Sequence, residues 1–79
     1  MSNTINDVRA LAESVGANLS GCDNQTNLFE EGIIDSLQIA LMVGEIEKKY
    51  SFQFELDEIN PDVFESIESI SAFIDKKRK

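Results

Sequence analysis

The chain has 79 residues, 42% of them apolar, with one proline and four glycines, enough for one small hydrophobic core and too few for a second domain or a deep catalytic cleft. Its formal net charge is -8, and residues 1–75 alone hold three basic against fifteen acidic side chains; such a body repels phosphate backbones, which excludes nucleic acid as a partner, and attracts basic surfaces. With no histidine and a single cysteine, Cys22, it has no internal disulfide, no zinc site and no serine–histidine catalytic pair.

Ile5, Val8, Leu11, Ala12 and Val15 recur at helical spacing, with Asn3 or Thr4 placed to cap and Gly16 to terminate, which predicts a first helix over about residues 4–15. Residues 16–35 mix Gly, Asn, Ser and Asp with scattered apolar residues. They predict a long loop, pinned to the core by Leu28, Phe29 and either Ile33 or Ile34, and a loop of that length in a small domain usually has a function. Asp35 stands directly before an apolar-periodic run and is suited to cap it, because its carboxylate can accept from free first-turn N–H groups and favours the positive end of the helix dipole. The run predicts a second helix over about residues 36–50. Stepping residues by about 100° puts Ile39, Met42, Val43, Ile46 and Tyr50 on one inward sector and Leu37, Leu41, Gly44 and Lys48 on the opposite, outward face.

The stretch SFQFEL, residues 51–56, alternates briefly as a strand would but has no second strand to pair with. Asn60 and Pro61 read as the cap and first residue of a short third helix, about residues 60–64. Ile67, Ile70, Phe73 and Ile74 predict a fourth helix over about residues 66–77, with the basic cluster Lys76, Lys77, Arg78 and Lys79 fraying from its end. The fold class expected is an all-α bundle of three longer helices and one short third helix. No apolar run is long enough to span a membrane and the polar N-terminal stretch does not resemble a secretory signal, so the expected location is cytoplasmic. The sequons at residues 18–20 and 24–26 then have no route to glycosylation.

One stretch carries chemistry: EGIIDSLQ, residues 31–38, which sets Ser36 at the start of the second helix. A serine hydroxyl is a weak nucleophile without a base in hydrogen-bond reach. Lys48 lies twelve residues along the same helix, about 18 Å away at the helical rise, and Asp35 is the adjacent residue, which does not face Ser36 on a helix. Ser36 is therefore not a catalytic nucleophile. A calcium loop beginning at Asp23 fails as well, with Gln25 at the third position, Leu28 in place of the turn glycine and Ile34 in place of the bidentate glutamate. Two readings of Ser36 remain, a helix cap and an exposed hydroxyl that another enzyme modifies.

The segment LFEEGIIDSLQIALMVGEIEKKYSFQF, followed by NPDVFESIESISAFI, resembles the acyl carrier protein family with its peptidyl and D-alanyl carrier relatives. In that family a Gly-x-x-Asp-Ser-Leu segment opens the second helix of a four-helix bundle, and the matching residues are Gly32, Asp35, Ser36 and Leu37. The resemblance covers nearly the whole chain. It implies that Ser36 bears 4'-phosphopantetheine, transferred from coenzyme A by a separate magnesium-dependent phosphopantetheinyl transferase. The thiol of that arm would hold an acyl or aminoacyl group as a thioester between a loading ligase and downstream synthases or transferases. The chain itself would be a monomeric carrier and not an enzyme, with Asp35, Leu37, Gln38, Leu41, Glu45 and Lys48 as the partner-contact residues.

Bacterial fatty-acid carriers crowd acidic residues along the second helix, whereas this chain has Gln38 and Leu41 early, then Glu45 and Glu47, then Lys48 and Lys49. That departure favours an aminoacyl or specialised acyl cargo. If the bundle shelters a chain in its interior, Met42, Val43, Ile46, Ile67, Ile70 and Phe73 are the expected lining. The competing reading is a non-covalent helical adaptor that binds a partner through Leu37 and Leu41.

Overall fold

The computed structural model describes residues 3–78, and every regular element among them is helical. α1 spans Asn3–Ser14, α2 Ser36–Tyr50, α3 Pro61–Phe64 and α4 Ile67–Lys77, with one 3-10 turn, Leu56–Glu58, ahead of α3. α1 packs on α2 and α4, and α3 closes against α4. Apolar residues three and four apart on the helices meet in one core, formed by Val8 and Ala12 of α1, Met42, Val43 and Ile46 of α2, Phe64 of α3, and Ile67, Ile70 and Ile74 of α4. Ile39, Tyr50 and Phe73 reach only its edge. An eleven-residue helix such as α4 is marginal alone, and burial of its three isoleucines, worth about 2 kcal/mol each, is what holds it.

Caps fix where the helices begin and end. α1 closes in a Schellman motif, in which the Ala17 N–H reaches the Ala12 carbonyl, the Gly16 N–H reaches that of Glu13, and Gly16 takes φ +100°. Asn60 accepts from the Val63 N–H to start α3, with Pro61 at its first position. Ser66 and Ser69 form a reciprocal cap that starts α4. α2 ends at Ser51, in the left-handed conformation at φ 61°.

Residues 17–35 are not an open loop. Ala17, Leu19, Leu28 and Ile34 are buried, which settles Ile34 over the half-buried Ile33 as the deeper pin. Asn27 Oδ1 accepts from the Phe29 and Glu30 N–H groups and starts a single helical turn. That turn closes as α1 does, with the Ile33 N–H to Leu28 O, the Gly32 N–H to Phe29 O, and Gly32 at φ +69°. Two backbone bonds tie the segment to the α3–α4 side, Leu28 N–H to Glu65 O and Glu68 N–H to Asn24 O. The Arg9 guanidinium adds bonds to Asn24 Oδ1 and the Cys22 carbonyl.

SFQFEL forms no strand. Phe54 is buried and stacks on Phe64 and Phe73, with centroids 5.8 and 5.2 Å away, and the exposed Leu56 then opens the 3-10 turn. Two expectations at the chain ends are corrected. Neither Asn3 nor Thr4 stands ahead of α1 as a cap would, because the helix begins at Asn3 and Thr4 lies in its first turn, where its hydroxyl donates to Asp75 Oδ1 at 2.7 Å and binds α1 to α4. Of the basic cluster expected to fray, Lys76, Lys77 and Arg78 are instead placed in or against the bundle, where acidic and aromatic partners meet Lys77 and Arg78. Lys76 and Lys77 belong to the last turn of α4, Lys77 pairs with Glu58 at 3.2 Å, and the Arg78 guanidinium sits 4.9 Å over the Tyr50 ring. Lys79 lies outside the described residues.

Candidate functional site

The site begins with the backbone of Gly32. Its left-handed φ turns the chain so that Ile34 drops into the core and Asp35 stands extended at the head of α2, with φ -134° and ψ -174°. No atom lies within 4 Å of where a Cβ on Gly32 would sit, so the demand for glycine there is one of backbone conformation and not of space.

Asp35 is the N-cap. Its Oδ1 accepts from the Gln38 N–H at 3.0 Å, and Gln38 Oε1 accepts from the Asp35 N–H at 3.1 Å, which completes a reciprocal box. The other end of the Gln38 amide donates to the Val15 carbonyl at 3.4 Å. Both polar ends of Gln38 are thus engaged inside the protein, and they tie the head of α2 to the end of α1.

With capping assigned to Asp35, Ser36 becomes the first helical residue and has no capping role. It is exposed, and its hydroxyl has no hydrogen-bond partner among the described residues. Among the described residues the Ser36 and Leu37 N–H groups also have no acceptor, so the positive end of the α2 dipole opens toward solvent beside the hydroxyl, a setting that favours a phosphate group.

Ser36 also borders a groove of about 440 Å³. One wall is Ile39, Ala40 and Val43 of α2, the other is Ile59, Asn60 and Pro61 from the approach to α3, and Phe29 contributes from the long connection. The lining is apolar apart from Ser36 and Asn60. Sequence reasoning named Met42, Val43, Ile46, Ile67, Ile70 and Phe73 as a lining only if the interior shelters a chain, and as plain core otherwise. Met42, Ile46, Ile67 and Ile70 are fully buried in the packed core, and of the six only Val43 lines the groove. The groove beside Ser36 lies one layer outward of these core residues. Ile59 was missed because a three-residue turn is too short to show periodicity, although Leu56 and Ile59 stand three apart, the eclipsed spacing of a 3-10 turn.

The outward face of α2 is open. Leu37 is 68% and Leu41 47% exposed, and Gly44, Glu45 and Lys48 continue the exposed face. Among the described residues no group of histidine, cysteine, aspartate and glutamate side chains is arranged to hold a metal ion, and no helix is long and apolar enough to cross a membrane.

An exposed, unpartnered hydroxyl beside free helix N–H groups and an apolar groove fits the attachment of a phosphate-linked arm. Comparison with curated proteins and with solved structures gives no significant match. The profile of one family, described as the phosphopantetheine attachment site, matches residues 6–75, a span that takes in all four helices apart from the ends of α1 and α4. The chain therefore belongs to the phosphopantetheine attachment site family and is a carrier of covalently bound 4'-phosphopantetheine.

Proposed function

We propose that Ser36 is the residue that bears the 4'-phosphopantetheine and that the loaded protein passes an acyl or aminoacyl group between separate biosynthetic enzymes. The observation that carries this reading is the free Ser36 hydroxyl at the first position of α2, beside unsatisfied N–H groups and an apolar groove. In the attachment step the Ser36 oxygen bonds to the pantetheine-side phosphorus of coenzyme A, the phosphoanhydride bond breaks, and adenosine bisphosphate leaves with the electron pair. The serine proton passes to a base of the transferase. Attached at Ser36, the arm supplies a thiol that holds cargo as a thioester.

The chain's own residues bind, orient and shelter. Asp35 and Gln38 fix the head of α2 so that the Ser36 oxygen is presented outward. The α2 N-terminus favours the phosphodiester charge, while Asp35 adds a negative charge suited to the transferase's cation or basic groups. Leu37, Leu41, Glu45 and Lys48 form the docking face, and Gln38 is reassigned from docking to positioning. Ile39, Val43 and Ile59 shield the apolar part of arm and cargo from water. Among the described residues no base bonds to Ser36, and carriers of this family are not themselves catalytic.

The mixed, partly apolar face of α2 supports an aminoacyl or specialised acyl cargo over a housekeeping fatty acid. The enzymes it would serve are a phosphopantetheinyl transferase, a loading ligase and downstream synthases, in the cytoplasm where coenzyme A is at hand. The exposed Leu37 and Leu41 also favour one other reading, a non-covalent adaptor.

Intact mass after incubation with coenzyme A, magnesium and a broad-specificity phosphopantetheinyl transferase separates the two. One pantetheinyl increment in wild type and none in Ser36→Ala is expected. No increment in folded wild type would remove the carrier assignment at Ser36 and leave the adaptor.

A further inference from the structure

Residues 55–60 bring Ile59 and Asn60 to one wall of the groove at Ser36, yet the segment has few ties to the rest of the bundle. Upstream, Phe54 is anchored by its aromatic stack and by its N–H to Glu47 Oε2 at 2.8 Å. Downstream, Phe64 is fully buried. Between these anchors Leu56 is 88% and Ile59 39% exposed, and the bonds of Asn60 go to Asp57, Val63 and Phe64, all nearby in sequence. For residues 55–59, among the described residues, the side-chain bond to another element is the ion pair of Glu58 Oε2 with Lys77 Nζ of α4, at 3.2 Å.

The geometry of that pair gives it leverage. Glu58 Oε1 accepts from the Glu55 N–H at 2.7 Å, so one carboxylate both closes the 3-10 turn and moors it to α4. The two side chains are 27% and 25% exposed, and the Lys77 ammonium lies 5.9 Å from the centre of the Phe73 ring. The Glu55 N–H, and after it Lys77, hold the Glu58 carboxyl below its ordinary range. Ile59 follows Glu58 directly and its N–H donates to the Leu56 carbonyl within the same turn, so the pose of the turn fixes where Ile59 meets the groove.

We propose that Lys77 is a positioning residue which, through Glu58, holds Ile59 against α2 and sets the width of the groove that receives the arm's cargo. The cargo half rests on Ser36 being the attachment site; the mooring of the turn does not. A partly exposed pair of this kind shifts an equilibrium modestly, so its loss opens residues 55–60 about two- to fivefold more often and leaves the bundle intact.

The test uses coenzyme A bearing a solvatochromic fluorophore on its thiol, loaded by a phosphopantetheinyl transferase, with amide exchange measured on the unlabelled protein. Glu58→Gln keeps an oxygen for the Glu55 N–H and removes only the charge, Lys77→Met keeps the apolar stem, and Lys77→Arg keeps the cation. In Lys77→Met and Glu58→Gln, exchange at residues 55–60 should rise about two- to fivefold while that of the Met42 and Ile46 amides stays fixed, and emission should move to the red. Lys77→Arg should restore both. Unchanged exchange overturns the mooring, and faster exchange with unchanged emission overturns its effect on the groove. Failure to label wild-type Ser36 sinks the carrier reading and with it the cargo half, while the exchange data still decide the mooring.

Discussion

At the scale of single residues, Asp35 and Ser36 are neighbours with separable work. Asp35→Ala removes the carboxylate that accepts from Gln38 and should cost about 1 kcal/mol in urea unfolding. Ser36→Ala removes a hydroxyl with no partner among the described residues, so its stability should stay within about 0.5 kcal/mol of wild type while attachment is lost. Equal destabilisation by both would mean that Ser36 has a capping role the structure does not give it. Gly32→Ala forces a side chain into φ +69° and should cost about 1 kcal/mol by the same measurement. The cap at Asp35 was legible because an aspartate directly preceded an apolar-periodic run. The role of Gln38 in that cap was not read from the sequence, where its place near the outward face suggested docking. Only the geometry shows its amide reaching Val15.

Among the elements, the long amphipathic helices could be read directly, since α2 repeats inward residues at 39, 42, 43, 46 and 50 over fifteen residues. The short ones could not. The helical turn before Gly32 and the 3-10 turn before α3 are too brief for periodicity and depend on tertiary ties, Leu28 to Glu65 in one case and Glu58 to Lys77 in the other. The tail was misread for a related reason: its partners Glu58 and Tyr50 are distant in sequence. Tyr50 joins α2 to α1 by donating to Asp7 Oδ2 at 2.8 Å. Its burial, and then that bond, push the phenol from an ordinary 10.0 up to about 12. The folded state thus keeps the Tyr50 proton longer than the unfolded chain does, so this contribution is complete below pH 10 and is lost as pH rises toward 12. Urea midpoints measured across that window should fall more steeply for wild type than for Tyr50→Phe. Equal slopes would mean the bond does not persist in solution.

For the molecule as a whole, excess negative charge, an open α2 face and a groove at its head describe a protein that other enzymes must find and grip. Carrier function implies such partners, a transferase and synthases among them, and tethering cargo to one exposed point raises its effective concentration in each. Leu41 is central to that face. Leu41→Asp should leave the unfolding free energy within about 0.5 kcal/mol of wild type and raise the transferase KM about tenfold, the cost expected for a central docking residue; an unchanged KM would move docking elsewhere. The most direct test is to digest the transferase-treated protein and sequence the peptide spanning residues 31–48 by tandem mass spectrometry. The expected result is 4'-phosphopantetheine on Ser36 and on no other residue. An arm on another serine, or an unmodified peptide from folded protein, would contradict it.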